Sequence, residues 1–175
     1  MKFDIKKLLP FIVALVVFVC ITVFYFKPVV FDKKELRQGD IINFKGASKE
    51  IADFREQTGQ EALWTNSMFG GMPGYQISVF YPNNWLKQID KVFMLWLPHP
   101  AGLVFLYFMG FFILLLCLKV DPWLAIVGAI AYGFSSYFFI ILEAGHNSKA
   151  HAIGYIAPLL GSIILTLKGK RILGA

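Results

Sequence analysis

Charge is scarce in this chain. Asp, Glu, Lys and Arg make up 16% of its 175 residues, against roughly 25% in soluble domains, which excludes an ordinary water-soluble globule. Cysteine is thinner still. Cys20 and Cys117 both lie inside apolar runs, where a thiol acts as a small hydrophobe, and neither has metal-ligand spacing to a partner. No disulfide and no zinc site is expected. Clustered basic residues are also missing. The formal charge is +6, yet Lys and Arg are scattered at the ends of apolar runs, which fits an anionic membrane surface and excludes nucleic acid as a partner.

What the chain does have is hydrophobic length, with 57% apolar and 17% aromatic residues. Leu8–Phe26 carries no charge and is long enough, at about 1.5 Å per residue, to cross a hydrocarbon core of about 30 Å. Lys2, Lys6 and Lys7 precede it. Val17, Phe18 and Val19 stand before Cys20, where a lipoprotein signal needs small residues, so the run is expected to be an uncleaved anchor. Further runs cover 100–118, 122–142 and 152–167, the last interrupted by Pro158. The expected fold is an all-α membrane protein with four transmembrane helices, multi-pass, its amino terminus in the cytoplasm. Lys119 and the cluster Lys168, Lys170 and Arg171 then fall inside. The polar segments 27–99 and 143–151 fall outside.

A polar insert as long as 27–99 is expected to carry function, because short turns suffice to join helices. Two amphipathic helices are predicted in this large first external loop. One is capped by Ser48 and ends near Gly59, and the other runs over Asn84–Leu97 with Trp85, Ile89, Val92 and Trp96 on one face. Two readings of these helices stand, contact with lipid and packing on neighbouring spans. Between them, Gly70-Gly71 and Pro73-Gly74 mark a turn. Trp64, Phe69 and Tyr75 around it either pack locally or wall a sugar-sized pocket.

Few residues offer chemistry. Asp40 follows Gly39 shortly after the first span and reads either as a solvated turn residue or as a catalytic acid. Glu143 sits where the third span meets the outer surface; an ionisable group there is a functional candidate, with snorkelling at a helix end as the alternative. His146, Asn147, Lys149 and His151 follow within one short turn. Two histidines five apart in a loop are not a metal motif. A cation, imidazoles and an amide at headgroup level match a phosphate group better, and the plain alternative is a polar turn in water.

The segments QGDIINFKGASKEIADFREQTGQEALWTNSMFGGMPGYQ and GHNSKAHAIGYIAPLL resemble the amino-terminal part of the bacterial YfhO membrane proteins, grouped with the polyprenol-dependent GT-C glycosyltransferases. The resemblance covers nearly everything after the first apolar run. It implies transfer of a sugar from a polyprenyl-phosphate carrier to an acceptor of the cell envelope outside the membrane. It also implies a catalytic acid at Asp40 and a second acid at Glu143, which assists or helps hold a divalent metal ion, Mg or Mn. Members of that family are longer, so an amino-terminal portion is expected. The competing expectation is a non-enzymatic membrane protein that binds lipid-linked sugars or assists polymer export.

Overall fold

A computed structural model describes residues 5–174. It is 69% helical. The first apolar run forms α1, Ile5–Tyr25. The second forms α6, Ala101–Cys117, whose first eight residues are all buried. Phe18 of α1 stacks on Phe108 of α6 with ring centroids 5.4 Å apart and meets Phe112 edge-on at 5.7 Å. Aromatic pairs of this geometry add to the burial of their area.

The third run is broken. Pro122–Gly133 forms α7 and Ser136–Ala144 forms α8, bent by 43° from one another. Ser135 adopts an extended ψ of 128°, so the helical hydrogen bonds stop there. The fourth run begins earlier than predicted, as α9, Asn147–Leu167. Only Gly145 and His146 separate it from α8. Gly145 has φ +97°, a left-handed value that ends α8 at little steric cost. The predicted polar turn 143–151 is thus a two-residue turn, and its remaining members lie on helices. A short α10 spans Arg171–Gly174.

Glycine lets α6 approach its neighbours closely, as in other helix pairs packed within lipid. A Cβ on Gly110 of α6 would lie 2.8 Å from the Gly154 carbonyl oxygen of α9, and one on Gly133 of α7 would lie 2.4 Å from the Phe108 ring. Among the described residues two helices, α1 and α9, are long and apolar enough to cross a membrane, or three if α7 and α8 form one bent span. Helix α6 is apolar throughout but has 17 residues. The chain is thus predominantly helical, with two to three candidate membrane-spanning helices among the described residues, consistent with an all-α membrane protein.

The insert is more helical than predicted. After α2, Lys27–Val30, come α3, Gly39–Ala47, and α4, Lys49–Thr58. The Ser48 hydroxyl donates back to the Phe44 carbonyl at 2.7 Å and makes no side-chain cap on α4, which ends at the left-handed Gly59. The strands β1, Trp64–Thr65, and β2, Met72–Pro73, pair antiparallel with Trp64 opposite Pro73. Helix α5 covers Leu86–Phe93, within the predicted 84–97. Leu95 and Trp96 both take positive φ, 51° and 52°, and cannot continue it. Trp85, Val92, Phe93 and Trp96 remain exposed on or beside it.

Candidate functional site

A basic cavity opens where the insert meets the bundle. Its volume is about 780 Å³, and it takes Lys33, Lys34, Arg37 and Lys45 from the insert, against one carboxylate, Glu35. Val29, Val30, Ile41 and Ile42 supply an apolar side, and Gln38, His99 and Asn147 a polar one. Gln38 precedes α3 and Asn147 opens α9, so two helix amino termini, each partially positive, begin at its wall.

Gln38 ties the cavity together. Its side chain is 5% exposed, and its Nε2 donates to the Leu142 carbonyl at the end of α8, to Asn147 Oδ1 at 3.2 Å and to His99 Nε2 at 3.2 Å. One amide nitrogen shares two N–H bonds among three acceptors. Accepting from Gln38 requires His99 Nε2 to be unprotonated. The surroundings agree: burial first, then the nearby His151, push His99 below the usual histidine range, although part of the residue stays open to solvent.

Asp40 stands in the first turn of α3, outside the cavity lining. Its Cβ would be 3.2 Å from a Cβ on Gly145, so the absence of a side chain at Gly145 lets α3 dock on the α8–α9 turn. That contact brings Asp40 Oδ2 to 3.1 Å from His146 Nδ1, with both side chains about half exposed, 53% and 52%. Two of the predicted site residues, far apart in sequence, therefore meet.

The other candidates are dispersed. Asn147 lines the cavity. Lys149 Nζ lies 5.2 Å from the centre of the Tyr137 ring. His151 Nδ1 is 2.9 Å from the Asn147 carbonyl and its Nε2 is 3.4 Å from Asp90 Oδ2 of α5, while Asp90 Oδ1 accepts from the Tyr155 hydroxyl at 2.7 Å. Glu143 is exposed on the last turn of α8 and has no hydrogen-bond or ion-pair partner among the described residues. The predicted partner of Asp40 was Glu143; the observed one is His146. Among the described residues no group of three or more His, Cys, Asp or Glu side chains is set to hold a metal ion.

Trp64 and Tyr75 lie away from this cavity, 58% and 65% exposed. Sequence reasoning missed Gln38, His99, Lys33, Lys34, Arg37 and Lys45. The one signal for the four cations was their density after the first apolar run; Gln38 and His99 carried none. No protein-family model, curated protein or solved structure matches the chain.

Proposed function

We propose that the chain is a membrane glycosyltransferase, or the acid-bearing part of one, that takes a sugar from a polyprenyl-phosphate carrier to an acceptor of the cell envelope, with four crossings and its amino terminus in the cytoplasm. The observation that carries this reading is the basic cavity. Four cations against one carboxylate, two helix amino termini and an apolar side match a phosphate attached to a hydrocarbon chain.

In the proposed reaction an acceptor hydroxyl attacks the anomeric carbon as the sugar–phosphate C–O bond breaks. The bonding pair leaves on the carrier phosphate, and the cations stabilise it there. The hydroxyl proton passes to Asp40, the base, while the His146 ring fixes the carboxylate from one side. Glu143 contributes negative potential near a transition state of oxocarbenium character. The test is sugar transfer from a radiolabelled polyprenyl-phosphate sugar in membranes. Asp40→Asn abolishes transfer while carrier binding is unchanged; full transfer in this variant removes Asp40 from the mechanism.

A second reading, a carrier-binding protein without transfer, is favoured by the position of Asp40 outside the cavity lining. Under it, neutralising Asp40 or Glu143 has little effect, and neutralising the cavity cations abolishes function.

A further inference from the structure

Between α4 and β1 the insert holds another cavity, of opposite character, about 330 Å³, close to the lower limit of small-molecule sites. It is walled by Glu50 and Phe54 of α4 together with Gln60, Glu61, Leu63 and Trp64. We propose that this cavity binds one neutral pyranose unit of a glycan, stacked on the Trp64 indole, and that it is the subsite for the acceptor in the transfer reaction. The acceptor role rests on the function proposed above; the binding of a pyranose does not.

The indole is exposed yet held. Trp64 is paired through β1 to Pro73, its Nε1–H donates to Asn66 Oδ1 at 3.2 Å, and its ring rests over Gly71. A Cβ at Gly71 would lie 2.9 Å from both Cζ2 and Nε1 of the ring. Gly71 also has φ +122°, so two requirements keep a side chain away from this position. A large aromatic surface fixed in this way has little conformational entropy left to lose on binding.

The groups beside the ring accept hydrogen bonds. The Glu50 carboxylate takes the Thr65 hydroxyl and the Asn66 N–H, the latter at 3.0 Å. The Thr65 bond, helped by the Asn66 and Ser67 amides and opposed by burial, holds Glu50 below the usual carboxylate range. Glu61 is clamped by the Arg55 fork, with both N···O distances 2.7 Å. Gln60 adds an amide. A pyranose has an apolar C–H face and a rim of hydroxyl donors, which is the complement of a fixed aromatic face bordered by acceptors. Arg55 neutralises Glu61, but among the described residues the Glu50 carboxylate has no cation against it and disfavours phosphate, so the carrier's charged end belongs to the basic cavity and an uncharged sugar to this one. Tyr75, predicted alongside Trp64, is outside the lining.

The test is saturation-transfer NMR on the full chain in detergent micelles, with maltotetraose and chitotetraose as separate probes. Saturation is expected on the ring C–H protons of at least one probe. It should fall at least fivefold in Trp64→Ala, be retained in Trp64→Phe, and fall in Glu50→Gln, with circular dichroism and undecaprenyl phosphate binding unchanged in each variant. Absence of saturation on both probes overturns the proposal, as does an unchanged signal in both Trp64→Ala and Glu50→Gln. Intact saccharide binding combined with no sugar transfer removes only the acceptor role.

Discussion

The basic and the acidic cavity of the insert differ in charge and in how they are built. The basic one is closed by long-range contacts: Gln38 reaches across 61 residues to His99 and 109 to Asn147. The acidic one is assembled within a single stretch, Glu50 to Trp64, and its hairpin is set by local hydrogen bonds such as Gly74 N–H to the Leu63 carbonyl at 2.9 Å. The basic cavity therefore depends on the helix bundle, whereas the acidic one depends on its own turn. Under the proposed function, a phosphate-bearing carrier arriving through the membrane and a polar acceptor arriving from water would each meet the cavity whose construction suits it.

Disrupting the bundle separates the two most strongly. Gly110→Val pushes a side chain against the Gly154 carbonyl of α9, and overpacking of this kind costs about 1–3 kcal/mol. Thermal unfolding in detergent should fall sharply and carrier binding should be lost, while maltotetraose or chitotetraose saturation persists. Next in size is Gln38→Leu, which leaves the Leu142 carbonyl and Asn147 Oδ1 without their donor, at about 1–3 kcal/mol for an unsatisfied buried group. Undecaprenyl phosphate binding should weaken several-fold, with saccharide binding unaffected.

Mild acid, above the carboxylate range, should loosen the basic side first. Because folding holds His99 below its usual range, the unfolded chain binds the extra proton first. Stability then rises with pH through the window just below about 6.5 and levels off above it. Unfolding temperatures at pH 5.5 and 7.5 should differ in the native chain and differ less in His99→Gln. The smallest effect is expected at Arg55→Lys. A fork to Glu61 becomes a single contact on a solvent-accessible pair, where screening leaves little to lose, with saccharide saturation reduced about twofold.

Runs of apolar residues made α1 and α6 legible, and Gly59 ended α4 as predicted. The break at Ser135 was not legible, because no proline marks it and the hydropathy continues across it. Asn147 to His151 looked like loop because they are polar, but Gly145 and His146 complete the turn alone and the polar residues form the first turn of α9. At the site, Asp40 and His146 stood out singly. Their pairing did not, since it follows from how closely Gly145 lets α3 approach. Gln38 was invisible for the same reason: an uncharged amide gains meaning only from partners distant in the chain.

The most direct measurement is undecaprenyl phosphate binding to the chain in nanodiscs of zwitterionic lipid, comparing the native protein with Lys33→Ala/Arg37→Ala. The account predicts at least tenfold weaker binding in the double variant, with weaker salt dependence and no change in Asp40→Asn. Equal affinity in the native and double-variant proteins would contradict it.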